Sequence, residues 1–148
     1  MVITWYGQSC FRLQSSETVL VIDPFSKEIG LTPPRGRADA VLVSHHHLDH
    51  NNVATIEGEP IVVDGPGEYE VKGVAIRGIP ADHDEAGGAE RGKVTIFTLE
   101  LEGMRLTHLS DLGQKRLTET QVEGIGDTDI LFVPVGGVYT IGAREAVE

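Results

Sequence analysis

The stretch His45–His50 places four histidines and one aspartate within six consecutive positions. Neutral imidazole is the commonest metal ligand among protein side chains, and carboxylates bind the same divalent ions. Because a structural zinc site prefers four closed cysteine and histidine ligands, the carboxylate favours an open site that also binds water. The stretch therefore predicts a catalytic metal centre, with a structural or vestigial metal site and a cluster without metal as alternatives.

The spacing within this stretch divides the ligands into two sets. Alternate residues of an extended segment point the same way, so His45 and His47 can meet one ion from one side. Asp49 and His50 follow after a turn, and their different direction lets them reach a second ion nearby. Two-metal hydrolytic sites have this geometry. The side chains at positions 46 and 48, on the opposite phase, are expected to pack against the protein.

Most of the elements that must position this cluster are strands. Alternating or apolar runs bounded by turn-forming residues predict strands at 2–6, 10–14, 19–23, 40–43, 60–64, 68–71, 74–79, 94–102, 104–109 and 130–133. The first three form a β meander, and the apolar run Ala40–Val43 ends directly against the histidine cluster. Helical segments are predicted at 51–56, at 112–125 and from a position near 143.

Length and composition narrow the class of protein. The chain has 148 residues, the size of one ordinary domain, so we expect a single domain over 1–148. A net charge of −11 with only 12 scattered Lys and Arg disfavours a nucleic-acid partner, because phosphate binding needs clustered positive charge. The single Cys10 excludes an internal disulfide framework. With no signal-like start and no apolar run near the roughly 20 residues of a membrane span, a cytoplasmic protein is predicted.

The stretch His45–His50 resembles the signature motif of the metallo-β-lactamase superfamily. Five further stretches carry the same resemblance: Thr4–Gly7, Val21–Pro24, Ala81–Asp84, His108–Gly113 and Phe132–Gly137. Together they are similar to the branch of small metal-dependent hydrolases related to sugar-phosphate lactonases. The fold that this resemblance implies is of the α/β (α+β) class, an αββα sandwich with a binuclear metal site along the sheet edges.

The resemblance also implies a ligand set. A first ion would be held by three histidines: His45, His47 and His83. A second ion would be held by Asp49 and His50, with Asp111 bridging both ions. Asp23 matches an early aspartate of the superfamily that is expected to orient the histidine loop through hydrogen bonds. The alternative interpretation of His83, Asp111 and Asp23 is that they are ordinary loop or turn residues.

Several other residues have two interpretations each. His108, in phase with the inward positions of its strand, is expected to support the site or the core, with direct ligation as the alternative. Tyr139 and Thr140 follow a glycine turn and either line the substrate pocket or pack. Gln8 stands where the family often has histidine, so a substrate contact is in doubt there.

A departure at the carboxyl end concerns the second ion. Relatives continue past the helix predicted near position 143 to a further strand and a last histidine ligand, whereas all six histidines here precede Leu109. We therefore expect a sandwich incomplete at the C-terminus and a weaker second site. A piece of a longer protein, a natural truncation and a half-domain completed by a homo-oligomer or another partner chain are all consistent with this pattern.

The function implied by the resemblance is metal-dependent hydrolysis. A hydroxide bridging the ions would attack a small anionic ester or lactone, with Asp49 and Asp111 as catalytic residues and Asp49 orienting the nucleophile. The ligand types suit Zn²⁺, one or two ions per chain, and also accept Mn²⁺ or Fe²⁺. Two alternatives remain, namely a catalytically impaired metal-binding or oligomer-forming remnant of the fold, and a phosphodiesterase.

Overall fold

Ten strands form two five-stranded β-sheets in the computed structural model, which describes residues 1–148. The first sheet contains, in spatial order, β1 (Val2–Gly7), β2 (Cys10–Gln14), β3 (Val19–Ile22), β4 (Ala40–Leu42) and β5 (Ile61–Val63). Neighbours among β1, β2 and β3 are antiparallel, whereas β3, β4 and β5 run parallel. The predicted β meander at the start of the chain is therefore confirmed.

The second sheet is also mixed. It contains, in spatial order, β10 (Ile130–Phe132), β9 (Met104–His108), β8 (Lys93–Leu101), β7 (Val74–Asp82) and β6 (Gly67–Val71). The strands β6 to β9 form an antiparallel series, and β10 adds to β9 in parallel. As a result β7, β9 and β10 all point the same way, and their carboxyl ends lie at one edge of the sheet.

An apolar layer between the two sheets forms the largest part of the core. Inward-facing residues of both sheets meet in it, among them Leu20, Ile22, Leu42, Ile76, Phe97 and Leu99. Alternate strand residues point to opposite faces, so each sheet contributes every second side chain to this layer. Burial of apolar surface between the sheets is therefore the main force that holds the two groups of strand ends together.

The helical layers outside the sheets are thin. The only α-helix, α1 (Glu119–Ile125), packs on the outer face of the second sheet together with the segment around Ile141. Loops and the 3₁₀ turns Lys27–Ile29 and Val53–Thr55 cover the outer face of the first sheet. The expected sandwich of two sheets of the α+β class is confirmed, with one short α-helix on the second sheet and no α-helix on the first. No helix in the structure combines the length and the apolar character needed to cross a lipid bilayer.

The helix predicted over 112–125 is wrong in its first half. A capping box starts α1 at Thr118, whose hydroxyl accepts the backbone N–H of Gln121 while the Gln121 side chain accepts the N–H of Thr118. The residues before it are tied elsewhere, since the N–H of Gly113 donates to the carbonyl of Asp82 at 2.9 Å. The helical segments predicted at 51–56 and near 143 are single 3₁₀ turns, Val53–Thr55 and Glu145–Val147.

Strand β7 runs three residues further than predicted, through Pro80 to Asp82. Its pairing with β6 ends at Gly78, so beyond that point one side of β7 has no neighbouring strand. A proline that lacks an N–H is tolerated there, because no hydrogen bond is required on that side. The extension carries β7 to the residue just before His83.

Candidate metal centre

The predicted metal ligands follow strands of both sheets at one edge of the sandwich. In the first sheet, β4 leads through Ser44 into His45. In the second sheet, β7 leads into His83 and β9 leads into Asp111. The two sheets are joined at this edge by a hydrogen bond from the N–H of Thr95 to the carbonyl of Ser44 at 2.9 Å. The fold therefore brings together residues that are up to 66 positions apart.

Three histidines form the first group of potential ligands. Each of His45, His47 and His83 offers a ring nitrogen, and these three atoms lie within 4.8 Å of one another. His45 and His83 are buried, whereas His47 is exposed. This combination holds two ligands rigidly and leaves the third on the solvent side, where water and substrate can approach.

A second group consists of His45, His50 and Asp111, whose ligand atoms also lie within 4.8 Å of one another. His50 Nε2 is 3.3 Å from Asp111 Oδ2 and 3.5 Å from Asp49 Oδ2. The Asp49 carboxylate thus lies beside this group, on the His50 side. The two groups share His45, so the predicted ligands form one continuous cluster.

Asp23 supports the cluster through its contacts with Ser44 and His50. Its buried carboxylate accepts hydrogen bonds from the backbone N–H and the hydroxyl of Ser44, both at 2.7 Å, and pairs with His50 Nδ1 at 2.9 Å. Ser44 Oγ also accepts from Ser110 Oγ at 2.6 Å and lies 2.9 Å from His45 Nδ1. Because the only hydrogen on Ser44 Oγ is donated to Asp23, His45 Nδ1 must be the donor, and the lone pair of His45 lies on Nε2.

Two buried ring nitrogens in the cluster have no hydrogen-bond partner, His45 Nε2 and His83 Nδ1. Buried polar atoms are almost always paired, because leaving one unpaired costs about 1–3 kcal/mol. Both residues belong to the three-histidine group, and the tautomer derived for His45 leaves a lone pair on its unpaired Nε2. The residues present therefore fit a divalent metal ion, which accepts such lone pairs.

Electrostatics divide the cluster into neutral and charged parts. Burial and then the charge of His50 lower the pKa of His45 to about 3, and burial also lowers the pKa of His83. Burial alone would lower the pKa of His50, but its pairing with Asp111, Asp23 and Asp49 outweighs burial and raises that pKa to about 12. His45 and His83 are thus neutral rings with free lone pairs. The three carboxylates that favour a protonated His50 would equally attract a metal cation, which would replace that proton when His50 binds it.

Both carboxylates beside His50 are ionised. A hydrogen bond with His50 lowers the pKa of Asp49 to about 2. Burial alone would raise the pKa of Asp111, but its hydrogen bond with His50 outweighs burial and lowers that pKa. Ionised carboxylates are the form that binds metal ions, so neither group needs to lose a proton first.

His108 takes a supporting place rather than a ligand position. It is only 2% exposed, its Nε2 is 3.0 Å from the carbonyl of Ser9, and its Nδ1 accepts the N–H of Ser110 at 3.2 Å. Since Nδ1 accepts, Nε2 carries the hydrogen and donates to Ser9. Both ring nitrogens are used, and the ring packs against Phe11 and Phe132.

The prediction that positions 46 and 48 pack against the protein is wrong. Leu48 is 77% exposed, and the exposed His46 ring lies 3.8 Å from the carboxylate of Asp64. The chain leaves β4 at Leu42 and continues in bends and turns, so the alternation of an extended strand does not apply beyond it. His45 and His47 meet through this turn rather than through strand phase.

Asp84 has a role that the sequence analysis did not assign. Its buried carboxylate accepts hydrogen bonds of 2.7–3.0 Å from four backbone N–H groups, those of Ala86, Gly88, Glu90 and Arg91. These contacts, the one from Arg91 foremost, hold the pKa of Asp84 below its usual range. An aspartate before a glycine-rich loop was the available signal, because such aspartates commonly bind backbone N–H groups of a turn. Asp84 orders the loop that follows His83.

A cleft of about 710 Å³ opens beside the cluster. Asp49 and Asp111 lie on its lining, as do Gln8, Tyr139 and Thr140, three residues for which the sequence left the role open. Tyr139 also stacks under the guanidinium of Arg91, whose carbon lies 4.9 Å from the ring centre. The pocket-lining interpretation of Tyr139 and Thr140 is thus the one that the structure favours.

Known proteins resemble this chain in sequence and in fold over nearly its whole length. The sequence model of the beta-lactamase superfamily domain matches residues 2–148. A metal-dependent hydrolase from Methanoculleus marisnigri is 31% identical over 173 aligned positions, which cover 99% of this chain and 74% of that protein. A metal-dependent hydrolase from Thermococcus onnurineus is 28% identical, with coverage of 99% and 77%.

Solved structures give the same result. A candidate zinc-dependent hydrolase of the metallo-beta-lactamase superfamily from Thermotoga maritima superposes with a TM-score of 0.81 at 43% identity, covering 98% of this chain and 66% of that one. A metallo hydrolase from Ignicoccus hospitalis shares the fold, with a TM-score of 0.67 at 20% identity. This chain thus spans two thirds to three quarters of the length of these relatives. The match of the family model to 2–148, with the sandwich and the histidine cluster at its edge, shows that this chain belongs to the beta-lactamase superfamily.

Proposed function

We propose that this chain is a metal-dependent hydrolase that cleaves an ester or a lactone. The main observation behind the proposal is that six potential ligands lie together at one edge of the sandwich. Two of these residues have a buried ring nitrogen without a hydrogen-bond partner. The relatives from Methanoculleus and Thermococcus, which are metal-dependent hydrolases by name, support it.

A first ion would be held by His45, His47 and His83, and a second by Asp49 and His50 with Asp111 between the two. Zn²⁺ suits these ligand types best, and Mn²⁺ or Fe²⁺ fits them as well. When bound, such ions lower the pKa of coordinated water and polarise the oxygen of a substrate carbonyl.

The side chains of the cluster would prepare the reaction in distinct ways. Asp49 is half-buried and ionised, and it lies on the cleft lining. It can therefore orient an attacking water molecule by accepting a hydrogen bond from it. Asp23 holds His50 and the backbone at Ser44, and therefore keeps the histidine loop in place. His47, the exposed ligand, would lie next to the arriving substrate.

We propose further that the anionic group expected on the substrate binds at the ions. No lysine or arginine lines the cleft, and the chain carries a net charge of −11, so the bound ions would be the source of positive charge for recognition. A cytoplasmic location, a single domain over 1–148, the absence of a nucleic-acid partner and an oligomeric or completing partner chain stay predictions.

The test compares His47→Ala with His46→Ala. The two residues are adjacent and both exposed, but only His47 belongs to the three-histidine group. We expect metal-loaded wild type to hydrolyse esters or lactones, and His47→Ala to lose kcat/KM by about 100-fold, equivalent to about 2.7 kcal/mol of transition-state stabilisation. His46→Ala should retain wild-type turnover and metal content.

Two results would contradict the proposal. Bound metal without turnover on a panel of esters, lactones and phosphodiesters would identify a metal-binding remnant. Turnover of a generic phosphodiester without turnover of esters or lactones would identify a phosphodiesterase. Metal content by mass spectrometry is measured on each sample, so that an inactive variant can be separated from one that lacks metal.

A further inference from the structure

Two buried serines lie side by side next to the metal centre, one from each sheet. Ser44 directly precedes His45 and Ser110 directly precedes Asp111, and these two ligands both belong to the second group. The two serine hydroxyls are 2.6 Å apart, although the residues are separated by 66 positions in the chain. We propose that Ser110 is a positioning residue. Its hydrogen bond to Ser44 fixes the position of Asp111, and thereby sets the affinity for the ion that Asp111 binds. This inference rests on the proposed function, which requires a bound metal ion.

The direction of the bond between the serines follows from the other contacts of Ser44. The Asp23 carboxylate accepts the single hydrogen of the Ser44 hydroxyl at 2.7 Å. Ser110 must therefore donate its own hydrogen to Ser44. Because Ser44 Oγ also accepts from His45 Nδ1 at 2.9 Å, both of its lone pairs are used. The Ser110 hydroxyl thus completes a network in which every hydrogen has one possible place.

The backbone of Ser110 has a conformation that places this hydroxyl. Its φ of 55° is left-handed, which is unfavourable for a residue other than glycine. The N–H of Ser110 donates to His108 Nδ1 at 3.2 Å, and His108 is itself held by the carbonyl of Ser9. Strained residues that surrounding contacts hold in place occur most often at functional sites. The functional group next to Ser110 is the Asp111 carboxylate.

Asp111 depends on this support more than the three-histidine group does. Its 3.3 Å contact is with His50, which is a proposed ligand as well, so that contact cannot hold Asp111 once both bind metal. Its remaining side-chain contact, with the Ser9 hydroxyl, is long at 3.4 Å. His83, by contrast, directly follows β7 in a loop that the Asp84 carboxylate orders. Loss of the Ser110 hydroxyl should therefore affect Asp111 and spare the histidines.

The first experiment measures Zn²⁺ affinity of Ser110→Gly by competition with a chromogenic chelator. Glycine adopts a left-handed backbone freely, so this variant removes the hydroxyl without adding strain. The ion whose affinity depends on Asp111 is identified with Asp111→Ala. We expect Ser110→Gly to weaken binding of that ion about 10–100-fold and to leave any other ion within about twofold. Ser110→Ala keeps the Cβ atom and should give the same result as Ser110→Gly.

The matched control is Thr128→Val. It breaks another bond between two hydroxyls, that of Thr107 and Thr128 at 2.8 Å, which lies away from the cluster. This variant should bind Zn²⁺ as wild type does. The urea unfolding midpoint of each variant shows whether the protein is folded under the conditions of the metal titration.

The second experiment asks whether Ser110 acts through Asp111. In an Asp111→Ala background, Ser110→Gly should cause almost no further loss of Zn²⁺ affinity, because the ligand that Ser110 positions is already absent. Two residues that act as a unit are non-additive in this way. A residue that only stabilises the fold would instead weaken binding equally in both backgrounds.

The outcomes separate the inference from the proposed function. Equal loss for all ions, a loss in only one of the two Ser110 variants, or a full further loss in the Asp111→Ala background overturns the inference and leaves the hydrolase function standing. A wild type whose metal affinity does not depend on Asp111 does the same, since Ser110 then has no ligand to position. A folded wild type that binds no metal overturns the hydrolase function itself.

Discussion

Asp23 is the residue on which the order of the cluster depends. It is fully buried, it has a left-handed backbone with φ of 47°, and its carboxylate binds Ser44 and His50. A left-handed conformation costs a non-glycine residue about 1–3 kcal/mol, which surrounding contacts must offset. The strained turn directs the carboxylate towards the histidine loop. The energetic cost of the left-handed backbone is therefore linked to the orientation of the proposed metal ligands.

Replacing Asp23 with asparagine should lower metal affinity about 10–100-fold, the usual effect of losing a group that orients a ligand. The neutral amide cannot serve as the charged acceptor for His50 Nδ1, so the ring loses its fixed tautomer and direction. Affinity is measured by competition with a chromogenic chelator. The matched control is Asp129→Asn, which makes the same change at a carboxylate that accepts a backbone N–H remote from the cluster. Equal metal affinity of both variants would show that Asp23 does not orient the proposed metal ligands.

The loops that follow β7 and β9 pack closely against each other, and this contact sets the distance between His83 and Asp111. A Cβ atom placed on Gly113 would lie 2.3 Å from the carbonyl carbon and oxygen of His83. The N–H of Gly113 also donates to the carbonyl of Asp82. Only glycine fits so close an approach, and the loop carrying His83 is itself ordered by the Asp84 carboxylate.

Gly113→Ala should destabilise the protein by about 3 kcal/mol, because the added methyl group overlaps backbone atoms that cannot rotate away. The midpoint of urea unfolding reports the change in stability. Gly65→Ala is the control, since a Cβ there meets nothing within 4 Å and φ is not left-handed. Its stability should stay equal or rise slightly. A Gly113→Ala protein as stable as the control would show that the two loops can separate without cost.

A second prediction for the same loops concerns Asp84. Asp84→Ala removes the acceptor of four backbone N–H groups and should destabilise the protein by about 2–3 kcal/mol in urea unfolding, because some of those groups are left unpaired. Asp127→Ala is the control, since that carboxylate is fully exposed and only contacts Arg105 at 3.6 Å. Equal unfolding midpoints would mean that the loop does not depend on Asp84.

Across the whole molecule, the proposed ligands come from both layers of the sandwich. His45 and His47 follow the first sheet, whereas His83 and Asp111 follow the second. An ion bound to all of them would join the sheets at an edge where the apolar layer ends. Binding that occurs only in the folded state adds to the free energy of unfolding.

Removal of metal with a chelator should therefore lower Tm by about 5–10 °C, taking about 2.7 kcal/mol at 100 times Kd and about 2–4 °C per kcal/mol. Scanning calorimetry measures the shift, and re-addition of Zn²⁺ or Mn²⁺ should restore it. His46→Ala should show the same shift as wild type, and Asp111→Ala a smaller one. A Tm that is unchanged by chelation of a metal-loaded sample would contradict a role in joining the sheets.

The strands and the histidine cluster could be recognised in the sequence because both are local patterns. Alternation along Cys10–Gln14 and the apolar run at 40–43 report which face of a strand is buried, and the structure has strands at both places. Predictions from local patterns were wrong where contacts with residues distant in the sequence determined the local structure. Residues before Thr118 are held by β7 instead of continuing the helix, and Leu48 lies in a turn instead of on a strand.

What the sequence determined by itself was the chemistry available at the proposed centre, because ligand type is a property of each side chain and the histidines and aspartates that could bind metal are visible as residues. Only the tertiary structure decided that Ser44 fixes the tautomer of His45 and that both ring nitrogens of His108 are occupied. Each of these depends on atoms brought together from different strands. Their separation is set by the packing of two sheets, and no spacing along the chain encodes it.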